Sequence, residues 1–127
     1  MIVDDTSALM AILLDESLAP ACTKALVAAD RLLISAGTVA ETLIVAERCN
    51  VSAEAEQLIS DIGFEVVAVN VANARRVARA YARWGKGVHA AALNFGDCFA
   101  YELARTNACP LLYVGDDFAR TDVVSAL

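Results

Sequence analysis

The chain opens MIVDDTSAL, a short apolar run, Met1 to Val3, that ends in two adjacent carboxylates, Asp4 and Asp5. One aspartate ahead of a helix is an ordinary N-cap, because its side chain accepts hydrogen bonds from the unpaired N–H groups of the first turn. The second acid is then left over, and Thr6 and Ser7 could have done the capping. Three further acidic features share the oddity. In TVAETLIVAERC, Glu41 falls on a helical wheel between Ile44 and Val45, at least partly in apolar company, although a first-turn acid is also what a helix dipole favours. In ALNFGDCFAYELA, Asp97 falls among Leu93, Tyr101 and Ala104, while Asn94, Glu102 and Arg105 share the polar side. No Lys or Arg lies three or four positions away to pair with it, so it is either hydrogen-bonded to backbone at the helix start or recruited for chemistry. In LLYVGDDF an apolar run again ends in acids, Asp116 and Asp117 after Gly115.

Two strand ends and two helix starts can converge on one rim of a sheet. At a separation of about 5 Å and an effective dielectric of about 20, each like-charged pair of carboxylates costs roughly 3 kcal/mol. Without a cation such a cluster protonates or opens. A hard divalent cation relieves it, and Mg²⁺ typically takes one or two carboxylates, keeps several waters and shares the rest of its shell with a phosphate. Bound there, it lowers the pKa of its water and stabilises charge on a phosphoryl oxygen. The chemistry implied is phosphodiester hydrolysis.

The elements that would position these groups alternate. Strands are predicted at Met1–Val3, Leu32–Ser35, Phe64–Val69 and Leu111–Val114. Helices are predicted at Ser7–Glu16, Ala19–Ala29, Gly37 to about Cys49, Ser52–Asp61, Val71–Trp84 and Asn94–Arg105. Helical crossovers between strands imply a parallel sheet covered on both faces. In such sheets ligands bind outside the carboxyl ends of the strands, where the strand order reverses. That is where the paired aspartates fall.

A length of 127 residues suits one domain, 1–127, able to bury roughly two thirds of its unfolded surface. Although 58% of the residues are hydrophobic, charges interrupt every long apolar run and none approaches the roughly 20 residues of a membrane span. With no signal-like start, the expectation is a cytoplasmic protein. Four cysteines without a CxxC pair, and one histidine, argue against a Cys/His metal site and for free, mostly buried thiols. The net charge of −6 hides an uneven distribution. Arg75, Arg76, Arg79, Arg83 and Lys86 fall within an arc of about 100° on one helix, with Val77, Ala80, Tyr81 and Trp84 on the other side. That stripe is either a solvated face or a surface for phosphates.

Taken in order and spacing, MIVDDTSALMAIL, SAGTVAETLIVAE, LNFGDCFAYELA and PLLYVGDDFARTDV resemble the PIN-domain ribonucleases, and among them the VapC toxins of toxin-antitoxin pairs. The resemblance covers nearly the whole chain. It implies an α/β PIN-like fold, a parallel sheet of four to five strands sandwiched by helices. It also implies a metal-dependent endoribonuclease using Mg²⁺, with Mn²⁺ as a substitute. Carried over residue by residue, the catalytic acids would be Asp5, Glu41, Asp97 and Asp117, with Asp5 and Asp97 touching the metal. Thr6, Ser7 and Asp116 would support them. Arg75, Arg79, Arg83 and Lys86 are the candidate RNA contacts. The resemblance further implies a cognate VapB-type antitoxin and a homodimer. Asp4 departs from the family, which commonly has an apolar residue there. Because neighbours on a strand face opposite sides, Asp4 and Asp5 should not both enter the site.

Two other α/β classes gather acids at strand ends. A phosphotransfer receiver would need a Lys ending a later strand, and none follows Lys86; a haloacid-dehalogenase-like phosphatase would want Asp-x-Asp where this chain has Asp-Asp-Thr-Ser. A PIN nuclease of RNA processing, and a PIN scaffold that binds without cutting, are the remaining alternatives.

Overall fold

The computed structural model describes residues 1–127. Four short parallel strands, β1 (Ile2–Asp4), β2 (Leu32–Ser35), β3 (Glu65–Val67) and β4 (Leu111–Leu112), form one sheet in the order β3-β2-β1-β4. Six helices connect and cover them: α1 (Thr6–Leu13), α2 (Ala19–Ala28), α3 (Ala36–Arg48), α4 (Ser52–Ile62), α5 (Val71–Trp84) and α6 (Phe95–Thr106). A parallel bridge between Leu111 and Ser125 extends the β4 edge by one residue. From β1 the chain steps outward to β2 and β3, then returns to place β4 on the other side of β1. The strand order therefore reverses between β1 and β4, and a crevice opens at their carboxyl ends.

The pleat divides the strands between two cores. On one face Val3, Leu33 and Leu111 pack with Val77, Ala80 and Trp84 of α5 and Cys98, Tyr101 and Leu103 of α6. On the other, Ile2, Leu32 and Leu112 pack with Ala8 of α1 and Cys22 and Leu26 of α2. The helices begin where the sequence supplies caps: Asp5 for α1, Ser35 for α3, and reciprocal capping boxes Asn70/Asn73 for α5 and Asn94/Asp97 for α6.

Helices Val71–Trp84 and the strand Leu32–Ser35 lie where they were predicted. Three ends fall short. α1 stops at Leu13 rather than Glu16, as Asp15 takes the left-handed conformation (φ 51°). β3 keeps only Glu65–Val67, the residues that find partners on Leu33, Ile34 and Ser35 of its single neighbour. β4 ends at Leu112, after which the chain leaves the ladder and bends through Gly115 (φ 107°). Among the thiols Cys22 and Cys98 are buried, Cys109 is half-buried and Cys49 is exposed, and none forms a disulfide. No helix is long and apolar enough to cross a membrane.

Candidate functional site

Asp5 is the residue at which β1 turns into α1. Its Oδ2 accepts the Ser7 backbone N–H at 2.9 Å and the Ser7 hydroxyl at 2.6 Å, so it caps the helix as an isolated N-cap would. Its Oδ1 is buried and has no hydrogen-bond partner at all. Capping thus consumes one oxygen and leaves the other buried and unpaired. The Ser7 hydroxyl also accepts the Val114 N–H at 3.0 Å, which ties the end of β4 to the start of α1 across the switch point.

Glu41 reaches the same crevice from α3. Its Oε1 accepts the Thr6 hydroxyl at 2.6 Å, and that hydroxyl lies 3.0 Å from the Thr42 hydroxyl, which itself donates to the Thr38 carbonyl at 2.8 Å. Thr6, Thr38 and Thr42 are all buried, so this polar column fixes the Glu41 carboxylate. Its other side lies over Gly96, where a Cβ would come within 1.6 Å of Glu41 Oε2. Glycine at the second position of α6 is therefore a steric condition for Glu41.

Asp97 is the third residue of α6. Its Oδ2 accepts the Asn94 N–H at 2.9 Å while Asn94 Oδ1 accepts the Asp97 N–H at 2.8 Å. The box holds the carboxylate at the α6 N-terminus, where the helix dipole favours it. Asp117, exposed at the turn that follows β4, lies close enough to act on Asp97. Asp116 beside it is exposed and takes no hydrogen bond.

The carboxylates repel one another. Burial pushes the Asp5 carboxyl up to about 7 against the pull of the Ser7 hydrogen bonds, and Asp97 and Glu41 add to the rise. Burial likewise pushes Asp97 up to about 6 against the Asn94 N–H, with Glu41 and Asp117 adding to it. Every protein ligand here is an oxygen, and one of them is buried without a partner. That donor set fits a hard divalent cation. As they stand no three carboxylates enclose an ion by themselves, so such a cation completes its shell with water and phosphate oxygen. The Cys98 thiol, next to Asp97, is pushed up to about 12 by burial and by that neighbouring charge, which removes it as a nucleophile.

Asp4 belongs to the other face. It is wholly buried, neither of its oxygens has a partner, and it lies near enough to the Cys22 thiol of α2 to raise it. Burial first, and Asp5 second, hold its carboxyl well above the usual range, so the core favours its neutral form.

Arg75 and Arg79 are exposed and unpaired along α5. Arg83 lies over the Trp84 ring, 4.5 Å from its centroid, and 3.7 Å from Asp122; Lys86 follows the helix, its backbone N–H bonded to Leu93 O at 2.9 Å. A bridge between Gly85 and Leu93 brings this end of α5 to the start of α6, the helix that carries Asp97. Two partners of the stripe were not visible in the sequence. Glu102, which a wheel sets on the polar side of α6, is 5% exposed and binds Arg76 Nε at 2.7 Å, Asn73 at 3.2 Å and Thr106 at 3.0 Å. Asp122 accepts the Tyr101 hydroxyl at 2.8 Å and stands 3.5 Å from Arg105. The only cue to the first is the i, i+4 pair Glu102/Thr106 beside a basic helix; the second has none.

Comparison with known proteins places the chain among described relatives. A family model described as the PIN domain matches residues 2–124. Ribonuclease VapC36 of Mycobacterium tuberculosis is 45% identical over 127 residues, covering 97% of this chain and 91% of that protein. Ribonuclease VapC28 of the same organism is 44% identical over 131 residues, covering 100% and 98%. Among solved structures, M. tuberculosis VapC20, titled a Sarcin-Ricin loop cleaving toxin, superposes with a TM-score of 0.79 over 98% of this chain and 97% of that one, at 13% identity. A toxin-antitoxin complex from Klebsiella pneumoniae gives 0.72 over 100% and 98%, at 19% identity. At those identities the two structures speak to the fold.

Proposed function

The chain belongs to the PIN-domain family, among the VapC ribonucleases, and we propose that it is a divalent-metal-dependent endoribonuclease acting as the toxin of a toxin-antitoxin pair. The observation that carries the reading is the buried, unpartnered Oδ1 of Asp5 beside Asp97 and Glu41. A protein that uses Asp5 only to cap α1 has no reason to bury its second oxygen without a partner.

Asp5 and Asp97 would hold the cation, and Mg²⁺ suits a shell of few carboxylates and several waters, with Mn²⁺ able to replace it. When bound, it supplies neutralisation of the phosphodiester oxygens and a more acidic water. The rest falls to the chain. Ser7 fixes the Asp5 carboxylate and Thr6 fixes Glu41, so neither has to reorganise when substrate arrives. Glu41 and Asp117 orient water for in-line attack. Arg75, Arg79, Arg83 and Lys86 contact the RNA backbone, and replacing both Arg79 and Arg83 by Glu should weaken binding and flatten its salt dependence. Unchanged binding at low salt counts against that surface.

An antitoxin partner fits the VapC relatives and the structural neighbour titled a toxin-antitoxin complex; that this partner is VapB-type, and that the chain forms a homodimer, are part of the proposal. The deciding experiment is cleavage of total RNA by the purified chain in Mg²⁺, in EDTA, and by Asp97→Asn in Mg²⁺. Cutting by the intact chain with metal alone is the expected result. Cutting that survives EDTA or the substitution overturns the reading.

A further inference from the structure

Phe95 is the most exposed of the chain's Phe, Tyr and Trp side chains, at 69%, and it opens α6 two residues ahead of Asp97. Helical side chains lean toward the N-terminus of their helix, so the ring stands at the N-terminal end of α6; Asp97, two positions on and about 200° around the helix, leaves that same end on the other side. It is braced from behind. Phe99 meets it edge to face, with centroids 5.0 Å apart and planes at 83°. Phe99 is in turn seated against the first turn of α3, where a Cβ on Gly37 would come within 2.5 Å of its ring. Between Phe95 and Asp97 lies Gly96, overlain by the Glu41 carboxylate. The aromatic pair and the Glu41 carboxylate therefore share one seam, between α3 and the first turns of α6. Phe99 already fills that seam, so packing gives no reason for a second phenyl ring beyond it, left in water at the edge of a charged crevice.

We infer that Phe95 is a stacking platform for an unpaired base adjoining the scissile phosphate. This rests on the reading of the crevice as an RNA-cleaving site. A crevice lined by acids gives a polyanion no electrostatic hold close to the reacting bond except through the cation. An aromatic face supplies one that does not depend on charge, and every base has a π-face to offer. In an A-form duplex the bases are already stacked on each other, whereas those of loops and ends can splay onto a side chain. Phe95 is a positioning residue: it touches the substrate beside the reacting atoms and transfers no proton.

The test uses the full-length protein and a stem-loop RNA carrying a cleavage site mapped from total RNA. Single-turnover rates are measured for the wild type, Phe95→Ala, Phe95→Leu and Phe95→Trp, on that RNA and on copies with an abasic nucleotide on either side of the cut. A base stacked on an aromatic side chain implies a loss in kcat/KM of about 5- to 150-fold for Phe95→Ala. A comparable loss is expected for Phe95→Leu, with recovery in Phe95→Trp. On one of the two abasic RNAs the wild type should fall to the level of Phe95→Ala, and the substitution should then cost nothing more. Because the side chain is exposed, melting temperatures should stay together. Wild-type cleavage that Phe95→Ala or Phe95→Leu leaves intact overturns the stacking role, as does a loss that is the same on intact and abasic RNA. Undiminished cleavage with weakened antitoxin binding assigns the ring to a protein instead. Failure of the wild type to cut any RNA in Mg²⁺ fails the ribonuclease reading itself, a different outcome from any of these.

Discussion

Replacing Asp4 by Val should stabilise the protein, and by more at neutral pH than in acid. Asp4 is fully buried at the end of β1 and both of its oxygens lack partners. A buried polar group without a hydrogen bond costs about 1–3 kcal/mol against an apolar group of similar shape. A second contribution comes from proton linkage. The folded carboxyl is held well above its unfolded value of about 3.9. Between those two values the folded chain keeps a proton that the unfolded chain has released, so stability falls as pH rises, by about 1.4 kcal/mol for each unit over which the folded carboxyl stays protonated. Asp4→Val removes both penalties. The gain should be about 1–3 kcal/mol near pH 4, roughly 4–12 °C in Tm for a chain of this size, and should grow toward neutrality. Asp4→Asn separates the two contributions: it leaves an unsatisfied amide in place of the carboxyl but no longer titrates, so relative to wild type it should gain little near pH 4 and show the same growth toward neutrality as Asp4→Val. Thermal and urea unfolding of the three proteins at pH 5 and pH 7.5 measures this. A valine variant no more stable than wild type at either pH, or a gain equal at both, refutes the account of Asp4 as a buried neutral acid. RNA cleavage should be unchanged, since the side chain faces α2 and not the crevice.

Three further outcomes follow from the crevice. Gly96→Ala puts a methyl within 1.6 Å of Glu41 Oε2, so the variant should keep its circular dichroism spectrum and lose cleavage by about tenfold or more as Glu41 is displaced. Thr6→Val removes the 2.6 Å donor to Glu41 and a neighbour of the Thr42 hydroxyl, and should cost about 1–2 kcal/mol in urea unfolding together with a fall in cleavage rate. Without metal, the folded chain keeps protons on Asp97 and Asp5 that the unfolded chain has already released, so metal-free stability should decline as pH rises from about 4 to about 6 for Asp97 and about 7 for Asp5, and level off above. Mg²⁺ competes with those protons, so the rise in Tm on adding Mg²⁺ should be larger at pH 8 than at pH 5.5; an equal or larger rise at pH 5.5 counts against cation binding by this pair.

Periodicity and punctuation were enough for much of this molecule. The alternation of apolar runs with helical patterns, broken at Gly, Pro and cap residues, determined a parallel α/β sheet, and the acids at Asp5, Glu41 and Asp97 stood out because each sat in apolar company on its own element. The pleat also required Asp4 and Asp5 to part, since successive strand residues face opposite sides. What lay on Asp4's side was not in the sequence: solvent and core are both consistent with a strand end, and only the packing of α1 and α2 against that face makes it core. Glu102 shows the same limit from the other direction. A wheel places it with Asn94 and Arg105 as solvated surface, yet α5 lies across it and turns it into the buried partner of Arg76 and Asn73. Tyr81 shares the apolar side of α5 with Trp84, and is 39% exposed because no element covers that turn, while Trp84 is sealed by Tyr101 and His89. Amphipathicity is a property of one element, readable along the chain. Which of its faces is covered, and by what charge, belongs to pairs of elements that meet only once the sheet has brought them together.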